Sequence, residues 1–352
     1  MNLDECDYEL PVDLIAQQPA RVRDRARLLV VDRARQTVRH ALVRDLPTLL
    51  TPQDVLVIND TKVFPARLLG RRRATGGKVE ILLVRREGAR CWQALVKPSH
   101  RLAVGAEVGF DGSDWVAVIG ERHGSGLRRV ELRGPGSVRV WLARHGQVPL
   151  PPYIARGVGN DAPGAVEEYH DRRRYQTVYA KHVGSVAAPT AGLHFSRPLL
   201  RRLRDRGIAI YAVTLHVSPG TFCPVRSATV EEHTMDAERY RISPTVAAAL
   251  NAAKAAGKRI IAVGTTSTRT LESAADATAY LRQLEGDTGL FIYPGYRFKF
   301  VDALLTNFHL PRSTPLLLVM ALAGRETILR AYRHAIDQRY RFYSYGDAML
   351  IL

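Results

Sequence analysis

Arg259-Ile-Ile-Ala-Val-Gly-Thr-Thr-Ser-Thr-Arg269 decides the fold class: a short apolar strand, Arg259 to Val263, turns at Gly264 straight into a helix expected to run to about Leu284. Similar units lie nearby. A helix from Pro198 to Arg206, stopped at Gly207, leads into a strand from Ile208 to Val217. Ser243 caps a further helix that has Pro244 in its first turn and Gly257 after its end. Strands alternating with helices imply a mostly parallel or mixed sheet covered by helices. Further out, Val55 to Ile58 reads as a buried strand that ends in the turn Asn59-Asp60-Thr61-Lys62.

Between Gly76 and about Gly134 the texture changes. Short β-rich pieces at Lys78 to Arg86, Cys91 to Lys97, Glu107 to Phe110, Trp115 to Ile119 and Leu127 to Leu132, divided by Gly, Asp and Ser, suggest a small antiparallel barrel. A Pro-rich joint, Val148-Pro-Leu-Pro-Pro-Tyr153, follows it. The expected α/β architecture is therefore a large mixed-sheet domain of residues 1–72 and 151–352 with an inserted barrel domain of residues 73–150. A chain of 352 residues has room for two cores.

Composition narrows the partners. Lys and Arg number 51 against 34 Asp and Glu, a formal net charge of +17, which favours polyanions and nucleic acid first. An arginine-rich codon bias is the plain alternative. Clusters such as Arg71-Arg72-Arg73, Arg172-Arg173-Arg174 beside Tyr175, Tyr179 and Lys181, and Arg339-Tyr340-Arg341-Phe342-Tyr343 set cations next to aromatics, a pattern that grips phosphates and stacks bases. Cys6, Cys91 and Cys223 stand apart and form no CxxC pair, so neither a disulfide framework nor a zinc ribbon is expected. The acidic start, Met-Asn-Leu-Asp-Glu-Cys-Asp, lacks the apolar core of a signal peptide. The apolar run Leu316 to Ala323 is far shorter than the ~20 residues of a membrane span. A soluble, cytoplasmic monomer is expected.

Chemistry concentrates in three nearly uncharged loops that each keep a histidine: Pro189-Thr190-Ala-Gly192-Leu-His194-Phe195, His216-Val-Ser-Pro-Gly-Thr-Phe222 and Thr306-Asn307-Phe-His309-Leu-Pro311. Imidazoles in such linings suit acid–base work near neutral pH, although a lone buried histidine is often only a satisfied core residue. None has HxH, HxxxH or HExxH spacing, so no metal is assigned. Cys223, beside the second loop, is a weak nucleophile candidate. Gly264-Thr265-Thr266-Ser267-Thr268-Arg269 offers backbone N–H groups, hydroxyls and a guanidinium at a helix start, an anion pocket on paper or an ordinary cap. It lacks the GK[ST] of a P-loop and the GxGxxG of a dinucleotide fold. Asp60, Lys62 and Arg67 place a carboxylate and two cations at a strand end.

These residues carry a resemblance. Asn59-Asp-Thr-Lys-Val-Phe-Pro-Ala-Arg67, Tyr175-Gln-Thr-Val-Tyr-Ala-Lys181, Val186-Ala-Ala-Pro-Thr-Ala-Gly-Leu-His-Phe195, Ala262-Val-Gly-Thr-Thr-Ser-Thr-Arg269 and Leu305-Thr-Asn-Phe-His-Leu-Pro-Arg-Ser-Thr314 resemble the S-adenosylmethionine:tRNA ribosyltransferase-isomerase family of queuosine biosynthesis. The likeness runs from Tyr8 to Met349. It departs at His182-Val183, where the family has Glu-Pro, at Ser218-Pro219-Gly220, which replaces a Gly-rich turn, and at Asp236-Ala237, where it has His-Ser.

The resemblance implies transfer and isomerisation of the ribosyl part of S-adenosylmethionine onto 7-aminomethyl-7-deazaguanine at the wobble position of a tRNA with a GUN anticodon. Epoxyqueuosine, adenine and methionine result; S-adenosylmethionine is consumed, and no separate cofactor is needed. The implied route needs a base for the ribose carbon next to the sulfonium, help for departing adenine, and a neutral amine. On that footing His194, His216, His309 and Asp60 are the catalytic candidates, with His194 foremost. Thr190, Gly192, Phe195, Gly264, Thr265, Thr266, Arg269 and Asn307 are candidates for holding S-adenosylmethionine; Lys62, Arg67, Arg172, Arg173, Arg174, Tyr175 and Lys181 for tRNA. A non-catalytic basic RNA-binding protein is the alternative. A conventional methyltransferase lacks support, since no GxG loop follows an early strand.

Overall fold

Strand β3 (Asp54–Asn59) is buried at all of its positions, as a strand covered on both faces must be. Val55 and Val57 face one apolar core, Leu56 and Ile58 the other. The computed structural model describes residue 1 and residues 3–156, 165–222 and 229–352. Around β3 it builds a nine-stranded mixed sheet in the order β15 (Glu285–Thr288), β13 (Glu238–Arg241), β12 (Ala209–Leu215), β3, β14 (Arg259–Val263), β16 (Ala303–Asn307), β17 (Ala348–Ile351), β1 (Arg27–Asp32) and β2 (Thr37–Leu42). The middle strands β12, β3, β14 and β16 are parallel, and so are β17 and β1; antiparallel partners close both edges.

Helices α5 (Pro244–Ala255), α6 (Thr265–Ala274), α7 (Thr314–Ala323) and α8 (Arg325–Asp337) supply apolar side chains to one face. Helix α4 (Arg197–Asp205) covers the other through Leu199, Leu200 and Leu203. The run Leu316 to Ala323 lies in α7 beneath the sheet, which accounts for its apolarity. No helix among the described residues is long and apolar enough to cross a membrane. Ser243 caps α5 as its sequence implies, its hydroxyl accepting from the Val246 N–H at 3.3 Å. Helix α6 ends at Ala274, ten residues short of the expected Leu284, because the Asp276 carboxylate accepts from the N–H groups of Thr278 and Tyr280 and turns the chain.

The β-rich stretch closes into an antiparallel barrel in the order β10 (Arg128–Arg133), β7 (Cys91–Lys97), β6 (Lys78–Arg86), β5 (Arg67–Arg72), β8 (Glu107–Gly109) and β9 (Val116–Arg122). Its first strand starts at Arg67, a segment whose arginine-rich text hides its alternation. Arg128 is buried in the barrel and donates to the carbonyls of Ser99, Leu102 and Gly120.

The chain enters and leaves this barrel side by side. Arg67 N–H donates to the Gln147 carbonyl at 3.1 Å, and Gln147 N–H returns a bond at 2.8 Å. The Arg67 guanidinium then binds Glu80 at 3.1 Å and the Gln147 side chain at 3.2 Å. Gly146 keeps the crossing close: a Cβ there would sit 2.2 Å from the Pro65 carbonyl oxygen. Gly146→Ala should therefore force the two segments apart and cost about 1–3 kcal/mol, read as a lowered thermal midpoint. An unchanged midpoint would mean that the joint yields freely.

Candidate active site

Two clefts open at the sheet. The smaller is lined by the start of α6 (Gly264, Thr265, Thr266), by Pro189 and Thr190, and by the Thr306-to-Pro311 loop. Gly264, at φ +87°, makes the sharp strand-to-helix turn that a side chain would strain. The α6 hydroxyls of Ser267, Thr268 and Thr270 donate back to carbonyls four residues earlier, so they support the helix and leave its first N–H groups toward the cleft. Phe308 is fully buried among Tyr332, Tyr340 and Phe342, and this anchors His309 beside it at the rim. His309 Nε2 lies 2.9 Å from Thr306 Oγ1, its N–H donates to Tyr332 at 3.0 Å, and its carbonyl accepts from the Tyr8 hydroxyl. Dense packing pushes its pKa down to about 3.

The larger cleft, about 1250 Å³, runs between the barrel and the sheet. Val217 borders both clefts, so they meet there. His216 lines the larger one, with Nδ1 2.8 Å from Thr61 Oγ1. Its ring rests on Gly184, where a Cβ would come within 2.8 Å of it. Burial, then the charge of His182, pushes the His216 pKa down, against the pull of Asp60. Asp60 accepts from the Thr214 hydroxyl at 2.6 Å and lies 3.6 Å from His182 Nε2. These contacts rest on strand β4 (Thr61–Val63), which pairs in parallel with β11 (His182–Ser185).

His194 lies elsewhere. It ends a short turn, Thr190–His194, is buried, and borders neither cleft. Asn307 reaches it from the small cleft. The Tyr343 carbonyl can only accept, so the Asn307 amide nitrogen faces it at 3.1 Å, and the same nitrogen lies 3.2 Å from His194 Nε2. Nε2 therefore accepts, and the His194 proton sits on Nδ1. Burial pushes its pKa down to about 4.

Several expected ligand contacts are spent inside the protein. Arg269 is buried, ion-paired to Glu238, and donates to the carbonyls of Leu290 at 2.8 Å and Thr288 at 3.1 Å, so it holds no substrate carboxylate. Phe195 is a core residue facing Tyr179, and Gly192 makes room for the Tyr179 hydroxyl, which a Cβ would meet at 2.1 Å. Tyr175 is fully buried against Tyr345 and offers no face to a base. Arg172 donates to the Ala143 and Gly146 carbonyls, Arg174 to those of Ala20 and Arg21, and Arg67 serves the barrel joint. Arg173, Lys181 and Lys62 remain exposed, and Lys62 lines the larger cleft. Cys223 lies outside the described residues. Among the described residues no group of metal-ligating side chains occurs. Sequence reasoning passed over Asn59, which is fully buried: its amide donates to the Leu215 carbonyl at 3.0 Å and Thr266 Oγ1 at 3.2 Å, and its oxygen accepts from the Thr61 and Leu215 N–H groups at 3.1 Å.

The smaller cleft opens into the larger one and neutral imidazoles stand at both, which suits an α/β enzyme that works by acid–base chemistry. The queuosine biosynthesis protein family matches residues 3–351, and the chain belongs to that family. It is 51% identical over 352 residues to S-adenosylmethionine:tRNA ribosyltransferase-isomerase of Symbiobacterium thermophilum, and 51% over 353 residues to that of Moorella thermoacetica, each spanning 100% of both chains. The crystal structure of S-adenosylmethionine tRNA ribosyltransferase from Thermotoga maritima is 37% identical, covers 99% of this chain and 100% of its own, and superposes with a TM-score of 0.55.

The site carries two expectations. Arg269→Ala should leave the Glu238 carboxylate buried without its partner and destabilise the fold by about 3–5 kcal/mol in a thermal melt; a changed affinity for S-adenosylmethionine at unchanged stability would restore Arg269 as a ligand. His194 and His309 have folded pKa values near 4 and 3, below the ordinary 6.5. Below pH 6.5 the unfolded chain takes up protons first. Stability is thus complete above that pH and falls as pH drops toward 4, by about 1.4 kcal/mol per pH unit for each histidine. His194→Gln should flatten that slope in pH-dependent denaturation, and an unaltered slope would place the proton uptake elsewhere.

Proposed function

We propose that this chain transfers and isomerises the ribosyl moiety of S-adenosylmethionine onto 7-aminomethyl-7-deazaguanine at the wobble position of tRNA, yielding epoxyqueuosine-tRNA, adenine and methionine. Full-length identity of 51% to relatives named S-adenosylmethionine:tRNA ribosyltransferase-isomerase carries the reading. The meeting of two clefts of different size at Val217 supports it. The reading extends to a GUN anticodon, to a cytoplasmic monomer, and to the barrel, whose strands run from Arg67 to Arg133, acting as a unit inserted into the α/β body.

In this reading S-adenosylmethionine occupies the smaller cleft. Its methionine carboxylate takes the free N–H groups at the start of α6, where the helix dipole favours an anion. Thr190 and Asn307 line the same space. His309 lines this cleft and enters the reaction neutral, and in this reading it accepts the proton of the ribose carbon beside the sulfonium, although a pKa held near 3 makes it a weak base. Once protonated it is a strong acid in the same packed surroundings and hands its proton to departing adenine. The nucleoside arrives through the larger cleft. Asp60 attracts the aminomethyl ammonium, and neutral His216 takes its proton, which frees the amine to attack. His194 supports Asn307 from behind.

Incubation with S-adenosylmethionine and tRNA bearing 7-aminomethyl-7-deazaguanine should release adenine and methionine together, only when the tRNA is present. Release of S-adenosylhomocysteine would mean methyl transfer, and binding without turnover would mean an RNA-binding protein. His309→Ala should lower kcat by about 10²–10⁴; turnover at the wild-type rate would remove His309 from the chemistry.

A further inference from the structure

The cations that sequence clustering nominated for RNA are largely used up on protein carbonyls. Lys62 and four cations outside that set face the larger cleft. Arg86 and Arg90 belong to the β6–β7 hairpin, Arg139 to α2 (Val138–His145), Lys62 to β4 and Arg239 to β13. Among the described residues none of the five lies within 4 Å of a carboxylate, although Asp236, Glu238 and Asp287 share the lining and the charge of Arg90 acts on Glu131. Where Arg86 and Arg90 are hydrogen-bonded, the acceptors are neutral: the Gly88 carbonyl at 2.8 Å for Arg86, and the Gly134 and Gly136 carbonyls at 2.8 and 3.3 Å for Arg90. Such bonds fix a guanidinium without cancelling its charge.

The barrel wall between these arginines carries a ring pair. Phe64 and Trp92 stack with centroids 5.3 Å apart and planes inclined by 30°, and both border the cleft. Trp92 is 9% exposed, and its Nε1 has no hydrogen-bond partner among the described residues. Trp141 of the same barrel, by contrast, donates to Ser113 Oγ at 2.8 Å. A buried indole donor left without an acceptor costs about 1–3 kcal/mol, which makes Trp92 a sensitive reporter of changes in this wall. Phe64 and Trp92 are 7% and 9% exposed, so they stiffen the wall that carries the arginines, and the arginines supply what a nucleotide backbone needs, cations for its phosphate.

We propose that the barrel wall of the larger cleft, where Arg86, Arg90 and Arg139 stand around the buried Phe64–Trp92 pair, holds the phosphate of a nucleotide of the tRNA substrate close to the one that is modified. The inference rests on the ribosyl-transfer reading above and extends it. The barrel then sets the path of the anticodon strand, between its own arginines and Lys62 and Arg239 opposite, down to His216 and Val217.

The test uses the full-length protein and tRNA carrying 7-aminomethyl-7-deazaguanine. Arg86→Glu combined with Arg139→Glu should weaken tRNA binding by at least about tenfold and make the slope of log affinity against log salt shallower by roughly 0.7–0.9 per lost phosphate contact. S-adenosylmethionine affinity and kcat at saturating tRNA should stay unchanged. Arg201→Glu combined with Arg204→Glu, both on the exposed face of α4, makes the same change in net charge and is the control. In parallel, the indole N–H resonance that disappears in Trp92→Phe should shift when tRNA is added to the wild type. Equal weakening by the α4 double variant, an unchanged salt slope in the Arg86→Glu, Arg139→Glu variant, or an immobile Trp92 resonance in a tRNA-bound enzyme would each overturn the inference. Absence of any adenine release by the wild type would instead strike the ribosyl-transfer reading, which keeps the two failures apart.

Discussion

Everything at the site hangs on the side chain of Asn59. It satisfies all of its hydrogen-bonding capacity inside the protein, and each bond fixes a different element. Thr266 belongs to the first turn of α6, Leu215 immediately precedes His216, and Thr61 opens the strand that carries the partner of His216 Nδ1. One amide at the end of β3 therefore sets the helix start of the small cleft and the imidazole of the large one in a common frame. Any shorter or acidic side chain there would leave several buried N–H or C=O groups without partners.

The same logic governs the arginines. Placed against carbonyls, as Arg23 is against those of Leu193, Arg173 and Gln176, a guanidinium acts as a cross-link between loops rather than as a ligand for phosphate. Burial lowers the Arg23 pKa to about 10, which still leaves it charged. Much of the excess of basic residues is structural, and the part that reaches the large cleft comes from positions dispersed along the sequence.

This is why the fold was more legible than the site. Apolar alternation and helix punctuation are local signals, and they mark β14 at its true limits, α4 and α5 within a residue or two, and the barrel strands from Lys78 onward. The strand β5 was hidden because Arg67, Arg71 and Arg72 read as a charged run, although Leu68 is buried. The site depends on what meets in space. Arg269 and Glu238 are 31 positions apart and Asn307 and His194 113 apart, so neither pairing shows in a motif. His194 sits in an uncharged loop like the other two histidines, and only packing separates a ring behind a cleft from one at its edge. Arg86, Arg90 and Arg139 form no run at all, and Trp92 is one of many apolar residues in a barrel strand.

The sheet also constrains how the molecule comes into being. Strand β17 lies between β16 and β1, and its register joins Leu28 to Ala348 and Val31 to Ile351. The β1–β2 hairpin, made early in synthesis, thus waits with an open edge until a strand some three hundred residues later emerges to join it to the rest. Long-range parallel pairing of this kind is slow, and an uncovered edge is adhesive while it lasts. Assembly of the nine-stranded sheet must therefore be a late event, with the barrel, whose strands are all near neighbours in sequence, free to close long before it.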